Sequence, residues 1–163
     1  MNIATAPLLV FGWGNPSRGD DALGPLFVER LAAWARIALP PGVLECHTDF
    51  QLQVEHALDL AGRRRVLFVD AAAHLDRPCT ARPLQPGRGA GISSHALAPE
   101  AVLQVYQDLH GHPPPPSTLL AIRAQSFGLG NAPGEQALAD LEQALAWARH
   151  WITDRNLHEE MPA

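Results

Sequence analysis

The sequence predicts an α/β domain in three layers, a mostly parallel twisted sheet with helices on both faces. Three observations carry this. Short apolar runs ending in glycine or aspartate alternate with helical periodicities along the whole chain. The 163 residues suit one domain, read as 1–163, whose core needs neither disulfide nor structural metal. Hydrophobic residues make up 47% and mean hydropathy is −0.06, which excludes wholesale disorder.

In order, Pro7–Gly12 (PLLVFG) reads as a buried strand closed by glycine. Asp21–Ile37 follows as a helix that Asp20 or Asp21 can cap, with Pro25 in its first turn and Leu26, Val28, Leu31 and Trp34 inward. Pro40–Gly42 stops it. Val43–His47 is a second strand, after which Asp49 can cap a helix running to Leu60 and closed by Gly62. Arg65–Asp70 (RVLFVD) is the clearest strand, four apolar residues bounded by charge. Thr80–Leu84 reads as an extra strand, placed at an edge by its proline.

A glycine-rich loop, Gly87–Gly91, leads to a helix over Pro99–His110 with Val102, Val105, Tyr106 and Leu109 inward. After four prolines, Thr118–Ala124 is a strand, and Pro133–Ile152 is a long amphipathic helix. The tail from about Thr153 is polar.

Charge narrows the function. Net charge is −5 and the pI about 5.8, so no global field attracts nucleic acid or anionic lipid. All twelve basic residues are arginines, which excludes a Walker lysine, a Schiff-base lysine and a Ser–Lys dyad. Cys46 and Cys79 form no CxxC pair and read as reduced thiols, not a zinc-thiolate site. No apolar run approaches the ~20 residues of a membrane span. The first residues lack a basic signal-peptide region, so the expected location is the cytoplasm.

In parallel sheets, ligands bind outside the carboxyl ends of the strands. The first such end carries Gly12-Trp13-Gly14-Asn15-Pro16-Ser17-Arg18-Gly19-Asp20-Asp21. Its spacing departs from the dinucleotide loop, and two carboxylates would repel a phosphate. The glycines suit close approach by another backbone or a ligand. Asp70 ends the RVLFVD strand, and His95 sits in Ser93-Ser94-His95-Ala96-Leu97 before a helix. Two carboxylates and an imidazole meeting in one crevice would suit nickel or zinc.

GWGNPSRGDDALGP, VLFVDAA and SSHAL, in that order, resemble the hydrogenase maturation endopeptidases, which process the large subunit of nickel-iron hydrogenases. The resemblance spans about Leu8 to Ile152. It implies a monomeric endopeptidase that removes the C-terminal extension of a hydrogenase large-subunit precursor. Nickel carried by that precursor would be the recognition signal. It places the metal-contacting and catalytic positions on Asp21, Asp70 and His95. Two departures stand out: the first acid is aspartate where glutamate is frequent, and Asp49-Phe50-Gln51-Leu52 replaces a small-residue Gly-Thr motif. The Gln51–Leu60 run resembles members serving soluble, cofactor-reducing hydrogenases.

Two other classes compete: a non-catalytic nickel-binding accessory protein, and a nucleotide- or sugar-phosphate-binding enzyme. The remaining clusters have plain structural readings. Arg63-Arg64-Arg65 is a solvated turn whose cations suit a helix C-terminus. His110 and His112 belong to a helix-ending loop, and Trp34, Trp147 and Trp151 to the core or an interface.

Overall fold

Five strands form one sheet in the order β2-β1-β3-β5-β4 in the computed structural model, which describes residues 4–88 and 97–154. The strands are β1 (Leu8–Trp13), β2 (Leu44–Asp49), β3 (Arg65–Ala73), β4 (Cys79–Leu84) and β5 (Ser117–Ala124). All neighbours run parallel except β4, which pairs antiparallel with β5 at the edge. An edge tolerates Pro83, which has no N–H to give to a ladder, so the proline-based expectation holds.

The alternation of side chains across β1 and β3 sorts the core into two layers. Leu8, Val10, Leu67 and Val69 pack on one face against α1 (Leu23–Ala38) and α3 (Glu135–Thr153), through Phe27, Leu31, Leu141, Leu145 and Trp151. Leu9, Phe11, Val66 and Phe68 pack on the other against Val102, Leu103 and Tyr106 of α2 (Pro99–His110), with Leu52, Ala57 and Leu60. Phe27, Leu31, Phe68 and Leu103 are each almost wholly removed from water, and burial of such a side chain stabilises by roughly 1.5–3 kcal/mol. Trp34 and Trp147 pack at the margin of the first layer, as core residues should.

Four expectations need correction. Leu109, expected on the inner face of α2, is 63% exposed, and Leu103 is buried there instead. Neither Asp20 nor Asp21 caps α1; both lie in a 3-10 turn, Gly19–Ala22, and their oxygens are used elsewhere. The segment after β2 is a 3-10 helix over Val54–Leu60, beginning at Gln53 and not at Asp49. Asp49 is instead the last residue of β2, its Oδ1 taken by the Phe50 amide. The arginine run is not a solvated turn. Arg65 is buried over the Trp151 ring and donates to the Trp151 carbonyl at 3.1 Å. Arg63 donates to the carbonyls of Asp59 and Ala6 and pairs with Glu45. Arginine's planar fork reaches several acceptors at once, which is how two of the three cations become interior. The expected tail lies outside the described residues from position 155.

Candidate active site

The sheet order sets where chemistry belongs. From β1 the chain moves outward to β2, whereas from β3 it moves the other way, to β5 and β4. Neighbouring strands that lead off in opposite directions leave a crevice at their carboxyl ends. The pairing of β1 with β3 stops at Gly12↔Val69, but β3 continues beside β5 to Ala73↔Ala124. Asp70 is therefore the first residue of β3 without β1 beside it. It sits inside a strand, not at the strand's end as its sequence suggested, because pairing with β5 carries β3 three residues further, to Ala73. It shares the face of Val66 and Phe68.

The loop that leaves β1 supplies Asp21, and glycine makes the geometry possible. A Cβ on Gly12 would lie 2.5 Å from the Gly24 carbonyl oxygen, and one on Gly24 would overlap Trp13. The end of β1 and the start of α1 thus touch backbone to backbone. Gly14 takes φ +145° and lies against the Asp21 carbonyl, while the Asn15 amide donates to Asp21 Oδ2 at 2.7 Å. One Asp21 oxygen is spent on the loop.

Asp20 has a different part. It is 2% exposed, and its carboxylate accepts from the amides of Gln125 (2.8 Å), Ser126 (3.0 Å) and Gly134 (2.9 Å). Burial pushes its pKa up, but those three bonds to the ionised form outweigh burial and leave it lowered. Asp20 ties the acidic loop to the β5–α3 connection. Asp20→Ala should destabilise by about 2–4 kcal/mol, since it removes three charge-assisted hydrogen bonds made by a buried carboxylate. Urea unfolding at pH 7 measures it, and a loss under about 1 kcal/mol would refute the clamp. The contribution is present above the unfolded value of 3.8 and is lost as pH falls through the lower folded value.

Asp70 moves in the opposite direction. Burial pushes it up to about 7 against an opposing bond from the Ala71 amide, and the charge of Asp21 adds a smaller upward push. Among the described residues, no arginine or histidine forms a salt bridge with either Asp21 or Asp70. Two neighbouring carboxyls at a switch-point crevice, without a cation of their own, form a site suited to receiving one. His95, Ser93 and Ser94 lie outside the described residues. No group of three or more His, Cys, Asp or Glu side chains fit to hold a metal occurs among the described residues. Both cysteines are free, and burial raises the Cys46 thiol to about 11 and shifts Cys79 upward too. Neither is poised as a thiolate ligand.

Sequence reasoning did not single out His56. Its Nδ1 accepts from the Gln53 amide at 2.8 Å, so the ring hydrogen sits on Nε2, which meets Asp49 Oδ2 at 3.2 Å. A seven-residue Asp–His spacing across a turn and a 3-10 helix matches no periodic template. The carboxyl rim also exposes apolar side chains: Phe50, Val54 and Leu58 after β2, and Phe127 and Leu129 after β5.

No protein-family model matches the sequence, and no curated protein does. Solved structures do. The [NiFe] hydrogenase maturation protease HycI of Thermococcus kodakarensis superposes with a TM-score of 0.69 at 23% identity, over 91% of this chain and 94% of that one. The maturating endopeptidase HybD of Escherichia coli gives 0.70 at 23% identity, over 86% and 88%. This chain has the hydrogenase maturation protease fold. A hydrogenase 2 maturation peptidase from a thaumarchaeon shares that fold, with a TM-score of 0.62 at 23% identity over 90% and 97% of the two chains. The maturation-protease fold is what the GWGN, VLFVD and SSHAL resemblance implied. No helix among the described residues is long and apolar enough to cross a membrane.

Proposed function

We propose that the chain is an endopeptidase of hydrogenase maturation, removing the C-terminal extension of a large-subunit precursor that already carries nickel. The observation that carries the reading is the Asp21–Asp70 pair at the β1–β3 crevice, two carboxyls without a basic partner among the described residues. A cation brought by the substrate would relieve their repulsion. The chain offers hard oxygen donors and no poised thiolate, so a soft-liganded metal would arrive with the precursor's own ligands. His95 is the proposed third contact.

Nickel held by the precursor would polarise the scissile carbonyl or an attacking water. Asp21, fixed through the Asn15 amide, orients the ion and with it the peptide bond. Asp70, with a pKa of about 7, is matched to taking and returning a proton near neutral pH. The apolar rim of Phe50, Val54, Leu58, Phe127 and Leu129 supports a protein substrate over a small one.

The test incubates the protein with nickel-loaded and nickel-free precursor and weighs the products. Loss of the extension from the loaded precursor alone is expected, and a folded His95→Ala variant should not process it. Equal cleavage of nickel-free precursor, or wild-type processing by His95→Ala, would overturn the nickel-gated reading. Binding of loaded precursor without cleavage would mark an accessory protein instead.

A further inference from the structure

We propose that His56 is a positioning residue for the acidic loop, acting through Asp49 and Gly14 on the Asp21 carboxylate. The inference rests on the maturation reading for its effect on processing, and on geometry alone for its effect on the loop. His56 is 9% exposed, and its ring packs 4.4 Å, centroid to centroid, from Phe11 of β1. Both ring nitrogens are engaged: Nδ1 accepts from Gln53 and Nε2 donates to Asp49. Asp49 is the terminal residue of edge strand β2, where a ladder would otherwise fray. Its carboxylate is held on one oxygen by His56 and on the other by the Phe50 amide at 2.6 Å.

Asp49 also closes the sheet toward the site. Its backbone carbonyl accepts from the Gly14 amide at 3.1 Å, the last bond between β2 and the chain leaving β1. Gly14 lies against the Asp21 backbone, and the next amide, Asn15, binds the Asp21 carboxylate. The path from His56 therefore runs through Asp49 to Gly14 and reaches Asp21 twice, by the backbone contact of Gly14 and by the hydrogen bond from the Asn15 amide. Without His56, the Asp49 side chain, 37% exposed, keeps only the bond from the adjacent Phe50 amide, and the end of β2 loses its tie to the 3-10 helix.

Two substitutions separate hydrogen bonding from packing. His56→Phe keeps a ring against Phe11 and removes both bonds; His56→Gln keeps a donor and an acceptor but loses the ring. In His56→Phe, hydrogen exchange at the Gly14 and Asn15 amides should speed up roughly tenfold or more. The turnover number on nickel-loaded precursor should fall roughly tenfold or more with KM within about twofold. His56→Gln should return both to within about threefold of wild type. Asp49→Ala, cut from the partly exposed end of the same bond, should reproduce the loss and replaces His56→Phe if that variant does not fold. Wild-type exchange or wild-type turnover in the variant lacking the bond overturns the proposal, as does failure of His56→Gln to restore them. If the wild-type protein does not process precursor, the maturation reading fails by itself. The exchange at Gly14 then decides the loop inference alone.

Discussion

Gly14→Ala is expected to cost about 3 kcal/mol or more of stability and to remove processing activity with it. An added Cβ would overlap the Asp21 carbonyl, a backbone atom that cannot rotate away, and φ +145° is a conformation that side chains rarely adopt. Relief requires the loop to move off the 3-10 turn, which breaks the Asn15–Asp21 bond and displaces the carboxylate. Gly42→Ala is the control. Gly42 also has a positive φ, +82°, but an added Cβ would meet nothing within 4 Å, so the expected cost is only about 1 kcal/mol of backbone strain. Urea unfolding of both variants measures the difference; equal costs would mean that the contact with Asp21 does not constrain the loop.

Asp70→Asn should make the protein more stable and less active at once. The folded state holds the Asp70 proton up to about pH 7, against 3.8 for the free group, so it binds that proton more tightly than the unfolded chain does. Stability from this group is full below the unfolded value and is lost as pH rises through the folded one. At pH 8 the wild-type protein keeps a buried carboxylate beside the Asp21 charge, and the asparagine variant does not. We expect the variant to gain about 1–3 kcal/mol at pH 8, worth roughly 2–4 °C of Tm per kcal/mol, and little or nothing at pH 4. Processing should fall about 100-fold or more, since the variant loses both a charged contact and a proton acceptor. A stability difference independent of pH would contradict the buried, repelled carboxyl; unchanged processing would remove Asp70 from the mechanism.

Much of this arrangement is legible along the chain. The strands expected at Pro7–Gly12, Val43–His47 and Thr118–Ala124 match β1, β2 and β5 to within a residue or two: β1 and β5 because buried parallel strands are short apolar runs, and the partly buried edge strand β2 because Pro40–Gly42 marks where it can begin. Pro99 at the first turn and Gly111 in the left-handed region bound α2 where the sequence places them. Local signals fail where partners are distant. Asp20 and Asp21 are adjacent and chemically identical, yet one is a buried clamp and the other belongs to the crevice. Their separation depends on which amides lie nearby, and for Asp20 those come from Gln125, Ser126 and Gly134. The arginine run misleads for the same reason: its acceptors at Ala6 and Trp151 lie at opposite ends of the sequence. Asp49 reads as a helix cap because its true partner, His56, is reached only after the chain has turned.

The reach of the Asp20 carboxylate also sets an order of events in time. Its three donors lie 105, 106 and 114 residues downstream. During synthesis, the loop bearing Asp20 and Asp21 emerges early, but the amides that clamp it emerge only after β5, on the segment that leads into α3. A growing chain can pair β1 with β2 and β3 before the clamp exists, because those contacts close shorter loops. The acidic crevice is therefore among the last parts to take its final form, completed when α3 docks onto α1 and the sheet. A ribosome-bound fragment ending before β5 would hold the strands of the site without its geometry, and competence would arrive with the closing helix.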